Sequence, residues 1–357
     1  MPLVARITRF THHPNFRYLV PSLVIVLQCY GVWAFSHQFC YLRLYEKFHD
    51  KAACIGLIIA NLFLTFLVWY IWALIVIIGP GQQPHVPPFS ILPDVVTAIP
   101  ATNTSLASAN SVRIDESSIS PPYIYPCDDR GYPIWCTTCQ SLKMSRTHHS
   151  NKLGYCVPRF DHYCVWIGSV IGRSNHRMFV QFTFYLMISS LIMVISIGSQ
   201  MKKLKHHTSG NVYAVFILAC CALFMVGPLF LTHVYYMCCN RTSIEVIEVK
   251  NKKKASRKCF CIYNPFDGYR YVVQFLPGEG QDFWNKNNAI INLKEFLGDN
   301  YFFWFFPTVL HSKSRYGKPS DNFYDLIGEC DETLSDQYRQ CMFDKIEKKE
   351  YLTRLRA

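Results

Sequence analysis

Four long blocks of apolar residues constrain the fold of this chain more than any other feature. Each block provides the ~20 residues that a helix needs to cross a bilayer. The blocks cover residues 18–42, 53–78, 178–197 and 212–239. We therefore predict an all-α polytopic membrane protein, with transmembrane helices 1 and 2 within 18–78 and helices 3 and 4 within 177–239. Gln28 and Asn61 lie inside blocks and predict hydrogen bonds between helices.

Basic residues around the blocks indicate the orientation of the chain. Four spans place both termini and the loop after the second block on one side of the membrane. Lysines and arginines occur near both sides, but the cluster directly after the fourth block favours a cytosolic C-terminus. That cluster comprises Lys250, Lys252, Lys253, Lys254, Arg257 and Lys258. We therefore expect a cytosolic N-terminus (1–17), a flexible cytosolic linker (79–135) and a cytosolic tail (240–357).

Charge and cysteine content narrow the class of protein. The formal net charge is +12. In a chain with apolar spans, this excess favours a lipid bilayer surface or an anionic cofactor as partner, and no nucleic acid. The 16 cysteines lack the compact spacing of a secreted disulfide scaffold, so we expect reduced thiols on the cytosolic side. The sequons at Asn103 and Asn240 would then carry no sugar.

The segment before the third block contains a set of metal-ligating residues. Cys136 and Cys139 form a C-x-x-C pair, and His149 and Cys156 follow at short spacing. Three thiolates and one imidazole make a tetrahedral zinc set. Four protein ligands leave no open position for water, so we expect one structural zinc.

Three further residues of this segment have the types that covalent catalysis requires. They are Asp161, His162 and Cys164. A thiol nucleophile, an imidazole base and a carboxylate that orients the base are the parts of an acyl-transfer site. The alternative is an inert buried thiol, which the position beside Asp and His, shortly before a membrane span, argues against.

These residues together resemble the DHHC cysteine-rich domain of protein S-acyltransferases (palmitoyltransferases), in the variant subgroup that carries Asp-His-Tyr-Cys. The resemblance covers the four spans, the cysteine-rich loop and the first part of the tail. The matching positions are Cys136, Cys139, Lys143, Arg146, His149, Cys156, Asp161, His162, Cys164, Trp166, Gly172 and Asn175. The resemblance implies that residues 136–176 form the catalytic domain. It also implies that a palmitoyl-type group passes from acyl-CoA to Cys164, and then to cysteines of membrane-associated proteins.

Several departures from the family pattern occur together. The family has Cys, Cys, His and Cys where this chain has Ser150, Leu153, Tyr163 and Val170. In the family those positions supply a second structural zinc, so the resemblance implies that this chain lacks it. Our hypothesis is that Leu153, Val170 and the Tyr163 ring form a small apolar plug, with Ser150 free to hydrogen-bond.

The resemblance also implies roles for residues around the three catalytic positions. Lys143 and Arg146 are candidates for the phosphates of palmitoyl-CoA, although a solvated surface charge explains either one alone. Trp166, Phe179 and Phe182 are candidates for the path of the acyl chain. Ser243, in a Thr-Ser-Ile-Glu stretch, is expected to hydrogen-bond Asp161, and Asn292 is expected to anchor the tail to the backbone of a span. These seven residues complete the predicted site.

Two other classes of function compete with the acyltransferase. A catalytically silent zinc-bearing membrane scaffold would retain the metal site without the chemistry. A channel or transporter would usually need ionisable residues inside its spans. Only His37 and His233 qualify, so this class is the weakest of the three.

Overall fold

A computed structural model describes most of the chain, and it divides the described residues into two compact units. The described residues are 16–88, 121–203, 208–250, 257–276, 279, 282–308 and 334–356. The helical unit takes its residues from 1–80, 161–238 and 290–313. The strand unit takes its residues from 81–160, 239–289 and 314–357. The division falls inside the expected catalytic segment 136–176, between Phe160 and Asp161.

Within the described residues, four helices of the helical unit are long and apolar enough to cross a membrane, and they correspond to the four predicted spans. The candidate spans are Tyr18–Tyr45, Lys51–Ile78, His176–Lys203 and Gly210–Cys238. Their helices are α1 (Phe16–Trp33, continued by a π-helical segment Ala34–Tyr45), α2 (Lys51–Ile78), α3 (His176–Gln200, continued by a 3-10 turn Met201–Lys203) and α4 (Gly210–Cys238). The chain is an integral membrane protein.

Polar side chains join the first two spans. The indole Nε1 of Trp69 donates to Gln28 Oε1 at 2.6 Å, and Asn61 Nδ2 donates to Ser36 Oγ at 3.1 Å. Hydrogen bonds of this kind help to hold helices together in a membrane, because apolar side chains pack about as well against lipid as against another helix. The interhelical hydrogen bonds predicted for Gln28 and Asn61 are confirmed.

The expectation of an all-α protein is wrong for the part of the chain outside the spans. The strand unit contains a four-stranded antiparallel sheet in the order β1-β8-β9-β10. Its strands are β1 (Ile124–Cys127), β8 (Lys258–Asn264), β9 (Tyr269–Phe275) and β10 (Thr353–Arg356). Strands β8 and β9 are rich in aromatic and β-branched residues and flank a turn at Gly268, where φ is 75°. This is the usual pattern of a β-hairpin, and the sequence analysis gave it no weight.

The predicted flexible linker also differs from the structure in its last part. Strand β1 lies within residues 79–135 and pairs with β8 over Ile124↔Ile262 to Cys127↔Cys259. Residues 89–120 of the linker lie outside the described part of the chain, as does the sequon at Asn103. The reason for the difference is that a strand of four residues is too short to stand out by periodicity and forms only because a distant strand pairs with it.

Three short hairpins make up the rest of the cysteine-rich segment. Two belong to the strand unit: β2 (Trp135–Cys136) with β3 (Ser141–Leu142), and β4 (His148–Ser150) with β5 (Tyr155–Val157). The third, β6 (His162–Cys164) with β7 (Ser169–Ile171), belongs to the helical unit and leads into α3.

Four shorter helices complete the described structure. They are α5 (Ser243–Lys250), α6 (Ala289–Leu297), α7 (Phe302–Phe305) and α8 (Asp336–Glu347). Helix α8 contributes Met342 to an apolar core with Phe260, Tyr271, Phe275 and Phe283 of the strand unit. The tail is therefore a folded part of the protein and not only a soluble extension.

Candidate active site

The hairpin β6–β7 brings two of the three predicted catalytic side chains to one face. Successive side chains of a strand point to opposite faces, so residues two apart share a face. His162 and Cys164 are two apart in β6, and Tyr163 lies between them, opposite Val170 of β7. This geometry explains how a Tyr can occupy the third position of the motif without entering the group formed by Asp161, His162 and Cys164.

His162 lies between the carboxylate and the thiol. Its Nδ1–H donates to Asp161 Oδ2 at 2.6 Å, and the imidazole also hydrogen-bonds the Cys164 side chain. Asp161 is 1% exposed and Cys164 is buried, whereas the His162 side chain is 29% exposed. The imidazole can therefore exchange protons with the thiol while a buried carboxylate fixes its tautomer.

Electrostatics favour the charged form of this pair. Burial acts to lower the pKa of His162, but the hydrogen bonds with Asp161 and Cys164 outweigh it and raise the pKa to about 9. Burial acts to raise the pKa of Asp161, but the hydrogen bond from His162 and the neighbouring imidazoles hold it below its usual range. At neutral pH the site thus contains an aspartate paired with an imidazolium.

Asn175 and Trp72 fix the hairpin against the spans. Asn175 is fully buried; its Nδ2 donates to the carbonyls of Val170 (2.9 Å) and Ile75 (3.4 Å), and its Oδ1 accepts from Gly172 N (3.0 Å). The indole of Trp72 donates to the carbonyl of Ile167 at 3.2 Å. The nucleophile is therefore held by backbone contacts to α2, which limits its freedom before any substrate binds.

An apolar cavity of about 520 Å³ opens beside Cys164 within the helical unit. The volume falls in the range of ~300–1,000 Å³ that is usual for small-molecule sites. Its wall takes residues from all four spans and from the β6–β7 hairpin; they include Val24, Gln28, Gly31, Val68, Trp72, Cys164, Trp166, Ile167, Phe179, Phe182, Ser189, Met193, Leu218, Ala219 and Ala222. Three residues predicted for the acyl path, Trp166, Phe179 and Phe182, are among them. A thiol at the edge of an apolar cavity is suited to a lipid-like acyl donor.

The four predicted metal ligands come together in the strand unit. The Sγ atoms of Cys136, Cys139 and Cys156 lie 3.6, 3.3 and 3.9 Å from His149 Nδ1. Ligand atoms around one tetrahedral zinc lie about 3.6 Å apart, given the usual Zn–S and Zn–N bond lengths. All four ligand atoms lie within 4.8 Å of one another, so the set fits a single ion without rearrangement.

Arg146 differs from its predicted role as a phosphate ligand. Its guanidinium forms two bonds to Glu245, Nε to Oε1 at 2.8 Å and an Nη to Oε2 at 2.9 Å, and a third to Asn240 Oδ1 at 2.8 Å. It is buried and stacks near the Trp284 ring, 5.3 Å from the centroid. In the structure this charge forms a bidentate pair inside the strand unit, and its contact with a CoA phosphate stays a prediction. Lys143, the other candidate, is half-buried.

The side-chain amide of Asn240 also forms hydrogen bonds within the strand unit. Besides accepting from Arg146, it donates from Nδ2 to the Trp284 carbonyl at 2.9 Å, and it is buried. A glycan on Nδ2 would need space that a side chain with 3% exposure lacks and would disturb its bond to Trp284, so the described contacts are incompatible with sugar at Asn240.

The two supporting residues lie in the short helices α5 and α6. Ser243 begins α5, where Thr242 and Glu245 form a reciprocal N-terminal cap, with Glu245 Oε2 accepting from Thr242 N at 2.8 Å. Its hydrogen bond to Asp161 stays a prediction. Asn292 of α6 is fully buried and donates to the carbonyl of Cys238, the last residue of α4, at 2.8 Å.

The four positions at which the family's second zinc ligands are replaced fall in different units. Ser150 and Leu153 belong to the strand unit, and Tyr163 and Val170 to the helical unit. No group of metal-ligating side chains within the described residues includes any of them. The apolar plug stays a prediction.

His233 is a residue of the site that the sequence analysis did not assign. It lies near the end of α4, and its ring centroid is 5.7 Å from that of His162 and 4.9 Å from that of Phe179. The available signal was an ionisable residue inside a span, which is rare unless it faces the interior of the bundle.

Comparison with known proteins agrees with this geometry. The family model described as DHHC palmitoyltransferase matches residues 130–250, which contain the metal set and the hairpin β6–β7. Palmitoyltransferase PFA5 of Kluyveromyces lactis is 65% identical over 347 residues, covering 97% of this chain and 97% of the relative. The chain belongs to the DHHC palmitoyltransferase family.

Two further fungal members of the DHHC palmitoyltransferase family extend the comparison. Palmitoyltransferase PFA5 of Saccharomyces cerevisiae is 41% identical over 356 residues, covering 96% of this chain and 94% of the relative. Palmitoyltransferase PFA5 of Eremothecium gossypii is 41% identical over 347 residues, covering 95% and 94%. The similarity therefore spans the helices and the tail as well as the cysteine-rich segment, and the resemblance to the DHHC family is confirmed; the Asp-His-Tyr-Cys subgroup stays a prediction.

The charge on His162 of this DHHC palmitoyltransferase should be visible in its stability. Because the pKa of His162 is raised in the folded state, protonation of its imidazole adds to the free energy of unfolding. This stabilisation is complete below the ordinary histidine pKa of about 6.5. It is lost as the pH rises through about 9. We expect the difference in melting temperature between wild type and His162→Gln, measured in detergent, to narrow from about pH 6 to about pH 10. In an Asp161→Asn background the same comparison should show little narrowing. A constant difference in the wild-type background would contradict the charged pair.

The cavity of this DHHC palmitoyltransferase should limit the length of the acyl chain. Ala219 lines it and is buried, so Ala219→Phe should fill space that several methylenes would occupy. Each excluded CH₂ costs about 0.8 kcal/mol, so we expect at least a ~10-fold shift in relative kcat/KM from palmitoyl-CoA toward lauroyl-CoA. The matched control is Ile217→Phe on the same helix, which is 61% exposed and outside the cavity. Equal shifts in both variants would show that the cavity does not hold the chain.

Proposed function

We propose that this protein S-palmitoyltransferase works in two steps through an acyl-enzyme thioester on Cys164. The observation that supports the proposal is the position of His162, bonded to Asp161 on one side and to the Cys164 thiol on the other. A base between a nucleophile and an orienting carboxylate is the arrangement that covalent acyl transfer requires.

The first step forms the acyl-enzyme. His162 holds the proton of the Cys164 thiol as an imidazolium, and the Cys164 thiolate attacks the thioester carbonyl of palmitoyl-CoA. The bond to the CoA sulfur breaks, and the imidazolium returns the proton to the departing CoA thiolate. Asp161 stabilises the imidazolium throughout, because its charge is held next to Nδ1.

The second step repeats the chemistry with another thiol. A cysteine of a membrane-associated protein gives its proton to His162 and attacks the thioester on Cys164. The acyl group moves to that cysteine, and the Cys164 sulfur recovers a proton from the imidazolium. His162 acts as base in both halves, as a ping-pong route requires.

The bound acyl chain extends from Cys164 into the apolar cavity. Phe179 and Phe182 are buried on the first turns of α3, and Trp166 is exposed in the loop between β6 and β7. This arrangement keeps the chain in an apolar environment while the thioester stays near the surface. Lys143 remains our candidate for a phosphate of CoA. Arg146 is left out of this proposal because its guanidinium is bonded to Glu245.

The metal set in the strand unit holds one structural zinc. Its thiolate-rich donors suit zinc, and four protein ligands leave no position for reacting water. Cys136 and Cys139 lie around hairpin β2–β3, and His149 and Cys156 lie directly opposite each other in hairpin β4–β5. A metal there would join two hairpins that have few residues with which to form a core.

The proposed acyl-enzyme should be detectable as a covalent label on the protein. Purified wild type incubated with labelled palmitoyl-CoA should acquire label that hydroxylamine removes, and Cys164→Ser should acquire none. Cys29→Ser, which changes an exposed cysteine outside the site, is the matched control and should label as wild type does. A wild type that never labels would support the silent scaffold.

The zinc content of the purified protein tests the proposed metal site. Metal analysis of protein dialysed against a mild chelator should find about one zinc per chain, because the described part of the chain contains one complete Cys3His set. Cys139→Ser should lower the zinc content and the yield of folded protein. A value near two after dialysis would contradict the loss of the family's second site.

We place the active site and both termini on the cytosolic side. The basic cluster after α4 supports this orientation, since Lys and Arg are enriched in cytoplasmic segments next to spans. Endoglycosidase treatment of the protein from its native membrane should leave its electrophoretic mobility unchanged. A sugar on Asn103 would put the thiol on the side of the membrane that lacks acyl-CoA.

A further inference from the structure

Three side chains at the catalytic hairpin form a second group with metal-ligand chemistry. Asp161, His162 and His233 each offer one ligand atom, and these three atoms lie within 4.8 Å of one another. The Cys3His set shares none of these residues. One carboxylate oxygen and two imidazole nitrogens are a common three-ligand set for zinc, with the fourth position open.

The buried imidazole of His233 has a ring nitrogen without a hydrogen-bond partner among the described residues. It is 3% exposed, and its Nδ1 has no hydrogen-bond partner among the described residues. A buried polar atom without a partner is unfavourable in a folded protein. Ring packing against Phe179 and Tyr236 accounts for the position of the imidazole but not for its unpaired nitrogen.

The spacing requires only a small adjustment to hold an ion. Ligand atoms around a zinc with N and O donors lie about 3.3 Å apart, so none of the three has to move far. The His162 side chain is 29% exposed and gives solvent access to the group. The Cys164 thiol hydrogen-bonds the same imidazole, so an ion held by His162 would bind within the catalytic group.

We propose that Asp161, His162 and His233 form an inhibitory site for zinc, separate from the structural Cys3His site. Zinc bound there would occupy the nitrogen and the carboxylate that proton transfer uses, and so would stop acylation of Cys164. Three ligands hold zinc less firmly than four, so the ion should leave when the free zinc concentration falls. The inhibition, although not the binding, rests on the proposed function.

Binding is tested first in a protein that cannot react. Cys164→Ser, purified with its structural zinc, should bind one additional zinc as free zinc is raised in a metal buffer, and a mild chelator should remove only that ion. Cys164→Ser/His233→Gln should bind no additional zinc over the same range. Cys164→Ser/His37→Gln, which changes an exposed histidine in the first span, should bind as the parent does.

The retained structural zinc shows whether each variant is folded. If His233→Gln loses that ion, His233→Asn provides a second test with a shorter amide. Equal uptake of the additional zinc with and without His233 would overturn the proposal, since the ion would then sit elsewhere.

Inhibition is tested separately in the reactive protein. The rate of acyl-enzyme formation should fall as free zinc rises and recover on chelation. The inhibitory concentration should be at least about tenfold higher in His233→Gln, with each protein compared with its own zinc-free rate. Equal sensitivity would overturn the inhibitory role, and absence of any acyl-enzyme without zinc would instead count against the proposed function.

Discussion

The hydrogen bond between Asp161 and His162 is the interaction on which the active site depends. A carboxylate with almost no exposure is costly unless it is paired and hydrogen-bonded. Here the imidazolium offsets that cost, and the same pairing keeps His162 charged at neutral pH and oriented toward Cys164. Burial, protonation state and orientation are therefore consequences of one contact, and removal of either partner would leave the other in an unsuitable environment.

The contact is useful only because the hairpin that carries it is fixed. Asn175 binds backbone groups of the hairpin and of α2, and Trp72 binds the loop that follows Cys164. Both use side chains to hold backbone carbonyls, so they constrain the main chain without entering the chemistry. Trp72 and its partner Ile167 also line the apolar cavity, and the position of the thiol relative to an acyl chain is thus set by the packing of the spans.

Sequence reasoning succeeded where the signal is local. Span lengths follow from apolar runs, and the ligands of the metal set and the catalytic motif are recognised by spacing. It failed where a residue's partner lies far along the chain. The charge of Arg146 suggested a phosphate, but its partner Glu245 is 99 positions away, and nothing in either local sequence pairs them. The short strand β1 and the contribution of His233 were missed for the same reason.

The pairing of β1 with β8 has a consequence for membrane insertion. Strand β1 precedes α3 and β8 follows α4, yet the two strands are hydrogen-bonded neighbours in one sheet. The chain between them must therefore cross the bilayer an even number of times. A splice form or deletion that removed a single span would place β1 and β8 on opposite sides of the membrane. The sheet could then not assemble.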